Sequence, residues 1–272
     1  MKCALIYDFD GTLADGDCAQ HGLLPELGVT DIGSFWSRVK ARAKDNDGDE
    51  ILSYLSLLAE QDEKIGTNQL SESALLEHGK LIPLFPGVGS WFDRINAYAE
   101  SNGLELCHYI ISSGLDAMIR GTEIGGCFSK IYACKYHYDP SGKAKWPAQA
   151  VNYTTKTQFL FRINKGIDNA WDNEAVNRFI EPKDREIPFE RMIYFGDGDT
   201  DIPSMKMVRF QGDNSIAVFD SNKWSEPRTQ GKVEKLIAEE RANYVVPAVY
   251  DEGSQLDVTV KGLLQLIKRK CA

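Results

Sequence analysis

Ala4-Leu5-Ile6-Tyr7-Asp8-Phe9-Asp10-Gly11-Thr12 is where a short apolar run stops abruptly at two carboxylates, a glycine and a hydroxyl. Side chains two apart on extended backbone point the same way, so Asp8 and Asp10 converge on one small volume just past a buried strand. Two anions held that close repel each other. The arrangement is tolerable when a cation lies between them or when one carboxylate keeps its proton.

Two more apolar runs end in the same manner. Residues 106–111 (Leu-Cys-His-Tyr-Ile-Ile) stop at Ser112-Ser113-Gly114, and a helical pattern resumes over 115–121. That reads as a strand, a small-residue turn and a helix start, which suits an anion. Residues 191–195 run directly into Gly196-Asp197-Gly198-Asp199-Thr200-Asp201, where Asp199 reads as exposed decoration. Further strands are predicted at 130–138 and 145–151, joined by Asp139-Pro140-Ser141-Gly142, and at 215–219 and 244–249. Helical spacing covers 89–102, 158–165, 174–179, 232–241 and 254–268, and the charged segment 166–188 reads as a surface excursion. Strands alternating with helices imply a mostly parallel, doubly wound α/β sheet, in which ligands bind beyond the carboxyl ends of the strands. The three strand ends should therefore meet.

Residues 31–43, 49–64 and 71–81 carry apolar residues at helical spacing behind Asp31, Asp49 and Ser71 as N-caps. They make 15–84 a compact helical insertion closed by Phe85-Pro86-Gly87, with 1–14 and 85–272 as the core. Trp36 reads as core of this insertion, while Arg38 and Arg42, four apart on one helix, are candidates to face a ligand.

The formal net charge is −9, without a long basic block, which argues against nucleic acid or an anionic membrane as partner and favours a small molecule. Six dispersed cysteines without CxxC pairing indicate neither a zinc cluster nor a disulfide framework, and a reduced cytoplasm fits best. No apolar run approaches the roughly 18 residues that span a bilayer. His21, His78, His108 and His137 show no metal-ligand spacing.

In order, Asp8 to Thr12 (DxDGT), the strand ending in Ser112, Lys156 ahead of a helix, and Gly196 to Asp201 (GDxxxD) resemble the motifs of the haloacid dehalogenase (HAD) superfamily, phosphatase type. The resemblance implies a Rossmann-like core with a small helical cap at 15–84, similar to the phosphoserine-phosphatase-like members. It implies hydrolysis of a small phosphorylated metabolite, with Mg²⁺ and an aspartyl-phosphate on Asp8. In that scheme Asp8 is nucleophile and metal ligand, and Asp10 is general acid/base, its backbone carbonyl also facing the metal. Asp197 and Asp201 complete the metal set. Ser112 and Lys156, with Gly11, Thr12, Ser113 and Gly114, hold the phosphoryl group. Lys143, Lys145 and Lys165 rival Lys156. Asp10 separates the chain from the dehalogenases, which lack an acid there, and from the P-type ATPases, which carry Thr there and membrane helices. A phosphotransferase or phosphomutase of the superfamily, or a non-catalytic phospholigand-binding protein, are the alternatives; oligomeric state is left open.

Overall fold

A computed structural model describes residues 1–198, 200–212 and 214–271. Its centre is β1 (Lys2–Tyr7), whose last five residues are buried on both faces, as a parallel strand covered by helices must be. β1 pairs in parallel with β2 (Glu105–Leu115) on one side and β5 (Met192–Gly196) on the other. Outward from β2 lie β3 (Lys130–Tyr138) and an antiparallel edge strand, β4 (Ala144–Gln149). Outward from β5 lie β6 (Ser215–Phe219) and β7 (Tyr244–Pro247), giving the order β4-β3-β2-β1-β5-β6-β7. The chain winds one way from β1 through β3 and the other way from β5 through β7. The strand order thus reverses between β1 and β5, where open α/β sheets bind their ligands.

Helices α1 (Leu23–Glu26), α2 (Ile32–Asp45), α3 (Glu50–Ile65) and α4 (Glu72–Gly79) fill the segment after β1. The predicted caps form: Asp31 accepts from Ser34 N at 2.9 Å, Asp49 from Leu52 N at 2.8 Å and Ser71 from Ala74 N at 3.3 Å. α3 ends at Gly66 with φ 75°, a left-handed conformation that costs glycine little. α4 does not stay with the insertion alone. It crosses α6 (Asp116–Gly121) so closely that a Cβ on Gly79 would lie 2.1 Å from Met118 O, and one on Gly121 2.1 Å from Leu76 O. Glycine at both crossing points brings this end of the 15–84 segment onto the sheet's own helix layer.

The remaining helices are α5 (Val88–Ser101), α7 (Lys156–Lys165), α8 (Asn173–Asn177), α9 (Ile202–Gly212), α10 (Pro227–Ala238) and α11 (Gln255–Cys271). Two boundaries differ from the sequence reading for physical reasons. α10 begins earlier than predicted because Pro227 occupies its first turn, where a missing N–H costs nothing. β2 does not stop at Ile111: Ser112, Ser113 and Gly114 remain extended to Leu115, with a register shift against β3 after Ile111. The 166–188 excursion is strapped to α7. Buried Arg162 donates to the carbonyls of Asn169, Ala170 and Asp172, and Lys165 to those of Val176 and Arg178. No described helix is long and apolar enough to cross a membrane.

Candidate active site

The ladder between β1 and β5 continues one residue beyond β1, with Asp8 N donating to Phe195 O at 2.9 Å. Asp8 therefore stands at the reversal of strand order, 3 % exposed. α7 opens at Lys156 itself, and the fully buried side chain reaches back between two carboxylates. Its Nζ lies 2.9 Å from Asp8 Oδ1 and 2.8 Å from Asp201 Oδ1. The rival lysines are engaged elsewhere: Lys145 with Asp139 at 3.3 Å, Lys143 4.0 Å from Glu63, and Lys165 on the excursion.

Asp201 is fully buried in the turn before α9, and Tyr194 of β5 donates its phenol proton to the same Oδ1 at 2.7 Å. Gly196 makes this possible, since a Cβ there would lie 2.5 Å from Asp201 Oδ2. Asp201 Oδ2 is buried without a hydrogen-bond partner. Carboxylate oxygens of Asp8, Asp197 and Asp201 lie within 4.8 Å of one another. An all-oxygen cluster of this charge, with one orphaned buried oxygen, fits a hard divalent cation. Lys232 of α10, which sequence reasoning did not find, donates to Asp197 Oδ2 at 2.8 Å. Asp199 lies outside the described residues.

The electrostatics separate the first two aspartates. Burial, then Asp201, pushes the Asp8 carboxyl up while Lys156 opposes that shift. Burial works against the charge on Lys156, yet Asp201 and Asp8 outweigh it and hold the ammonium firmly protonated. Asp10 turns its carboxylate toward the segment after the first turn, accepting from Cys18 N at 2.8 Å. Burial and neighbouring Asp17 push Asp10 up to about 8, against the Cys18 N–H. A carboxyl of that kind carries a proton at neutral pH.

Ser112 and Ser113 differ in how they meet the cavity. Ser112 is fully buried and its Oγ accepts from Gly114 N at 3.0 Å. Ser113 lines the cavity above the carboxylates, and its Oγ is buried without a partner. Because the segment is extended, neighbouring hydroxyls occupy different surroundings. Gly11 and Gly114 also line the cavity; Gly11 takes φ 68° and leaves room for Asp197, whose Oδ2 would be 3.0 Å from a Cβ there. Thr12 is wholly buried beneath it, its carbonyl accepting from Tyr250 OH at 2.9 Å.

The cavity, about 410 Å³, is closed on the insertion side by Trp36, Lys40, Glu50, Ile51 and Tyr54. Trp36 is half-buried and packs against the hydrophobic core, as the sequence reading expects, and it also borders this cavity. Arg38 does not line it, and Arg42 is held by Glu60 at 2.5 Å. A larger hollow of about 660 Å³ between α3 and β4 contains none of the strand-end carboxylates. α3 is tied to β3 by Tyr136 OH, which donates to Leu55 O, and its N-cap Asp49 accepts from Asn152 Nδ2 in the loop before α7, both at 2.5 Å.

No protein-family model matches the chain. An uncharacterized protein of Borreliella burgdorferi is 30% identical over 279 residues, covering 93% of each chain. Among solved structures, a HAD family hydrolase of Salmonella enterica serovar Typhi superposes with a TM-score of 0.57 at 15% identity, over 95% of this chain and 69% of that one. A substrate-bound phosphoserine phosphatase gives 0.56 at 15% identity over 96% and 98%. A probable phosphoserine phosphatase of Vibrio cholerae gives 0.56 at 16% over 99% and 67%. With its reversal of strand order between β1 and β5 and its four ordered motifs, the chain belongs to one family with the Borreliella protein, and its fold is that of the haloacid dehalogenase superfamily.

Proposed function

We propose that the protein is a Mg²⁺-dependent phosphatase that hydrolyses a small phosphomonoester by way of a phosphoryl group carried on Asp8. The observation that carries this reading is the pairing of Asp8 with Lys156 at 2.9 Å, at the reversal of strand order, beside an Asp10 whose carboxyl is pushed up to about 8. Asp8 attacks phosphorus, the bond from phosphorus to the leaving oxygen breaks, and Asp10 gives that oxygen its proton. Asp10 then takes a proton from the water that attacks phosphorus, and the Asp8 carboxylate departs as phosphate forms. Lys156, and Ser113 through its unpartnered Oγ, steady the charge on the phosphoryl oxygens. Asp8, Asp197 and Asp201, with the carbonyl of Asp10, would hold Mg²⁺, which when bound neutralises phosphoryl oxygens and so favours attack by an anion. The helices within 15–84 act as a cap that excludes water and chooses the leaving group.

Phosphate release from 4-nitrophenyl phosphate tests the reading. Release is expected with Mg²⁺ and is expected to stop in EDTA; release undiminished by EDTA, or no release with Mg²⁺ from this ester or from any of the phosphomonoesters named below, would overturn it.

A further inference from the structure

The cap side of the cavity joins an aromatic wall to two carboxylates, Asp17, which accepts from Ala19 N at 2.8 Å, and Glu50. Trp36 stacks on Tyr54 with ring centroids 5.0 Å apart and an interplanar angle of 27°, while Phe35 meets the indole edge-on at 5.5 Å. The stack is thus fixed by the cap's own packing where it borders the cavity. Glu50 is half-buried at the first turn of α3, and among the described residues its carboxylate has neither an ion pair nor a hydrogen bond. Lys40 is the basic residue lining the cavity among those described, and it is exposed to solvent.

A carboxylate without a protein partner at a cavity wall favours a cation beside it, and aromatic side chains on the same wall attract that cation through their quadrupole. A carboxylate on the leaving group is held most firmly by a guanidinium fork, whereas an exposed ammonium such as that of Lys40 pairs with it weakly. No described arginine lines this cavity, and Arg42 is committed to Glu60.

Building on the phosphatase reading, we propose that the leaving group is an amino alcohol whose ammonium head lies against Trp36, Tyr54 and Glu50, and that it carries no carboxylate. The discriminating set is phosphocholine, its uncharged isostere 3,3-dimethylbutyl phosphate, O-phosphoserine and 4-nitrophenyl phosphate, each assayed for kcat/KM with Mg²⁺. Phosphocholine is expected to exceed the isostere by about tenfold or more and to exceed O-phosphoserine. In Glu50→Gln the ratio of phosphocholine to isostere is expected to fall toward one. Equal rates for the charged and uncharged esters, a preference for O-phosphoserine, or an unchanged ratio in Glu50→Gln would overturn this inference while the phosphatase reading stands. Hydrolysis of none of the four would overturn both.

Discussion

Replacing Lys156 by Met removes the cation that, among the described residues, touches both Asp8 and Asp201, at 2.9 and 2.8 Å, and leaves the space filled. Lys156 and Asp201 are fully buried and Asp8 is 3 % exposed, so water cannot take the ammonium's place without opening the strand ends. Breaking a buried pair from one side costs roughly 3–5 kcal/mol, because the remaining charge is left uncompensated. Asp201 keeps the Tyr194 phenol as a donor, which holds the loss toward the lower end of that range. Against a total stability on the order of 5–15 kcal/mol, about 3 kcal/mol moves a urea midpoint by about 1 M or more. The assay is equilibrium urea unfolding in EDTA. Adding Asp201→Asn to Lys156→Met should recover about 1–3 kcal/mol, since the two sites share one interaction. A Lys156→Met protein within about 0.5 kcal/mol of the parent would refute the assignment of Lys156 as the buried counter-charge of the site.

Two further outcomes follow from the same geometry. Tyr194→Phe leaves Asp201 Oδ1 with Lys156 alone, and calorimetric titration should show Mg²⁺ binding weakened by about tenfold or more; unaltered binding would mean that the phenol does not orient Asp201. His108 is buried with its pKa lowered from 6.5 to about 4 by burial, its Nε2 at 2.9 Å from Asn96 Oδ1 and its Nδ1 at 3.2 Å from Tyr7 OH. Below 6.5 the unfolded chain takes up a proton that the folded one refuses. This contribution is therefore fully present above pH 6.5 and is lost as pH falls toward 4, by about 3 kcal/mol in all. Urea midpoints of the parent should fall more steeply over that window than those of His108→Gln; parallel curves would contradict the assignment.

The fold was legible because its strands announce themselves: buried runs such as 2–7 and 192–196 end where polarity changes at once, and the helices of the insertion carry their caps in Asp31, Asp49 and Ser71. Motif order also placed Asp8, Lys156 and Asp201 within reach of one another, and the structure brings them together. Other features have no local signal. Ser112-Ser113-Gly114 reads as a turn by composition, yet pairing with β3 resumes at Leu115 and the segment stays extended, which sends Ser113 rather than Ser112 into the cavity. α9 was not anticipated, although Pro203 stands in its first turn, where proline is tolerated as Pro227 is in α10. Tyr194 looks like any apolar strand residue, and only the return of the chain at Asp201 gives its hydroxyl a partner. Lys232 belongs by sequence to an ordinary amphipathic helix, and contact with Asp197 depends on how α10 packs. The position of Trp36 and Glu50 on the wall of the same cavity as the carboxylates depends on how the helices of the insertion lie on the sheet, which helical spacing alone does not determine.

The central claim is that Asp8 carries the phosphoryl group. An acyl phosphate is reduced by borohydride to the alcohol, so acid-quenching the protein during turnover of 4-nitrophenyl phosphate and then reducing it should convert residue 8 to homoserine. Peptide mass spectrometry is expected to find homoserine at position 8 in the turning-over parent and to find none without substrate or in Asp8→Asn, which should also release no phosphate. Phosphate release at the parental rate from Asp8→Asn, or sustained turnover with homoserine at another position and none at 8, would contradict the account.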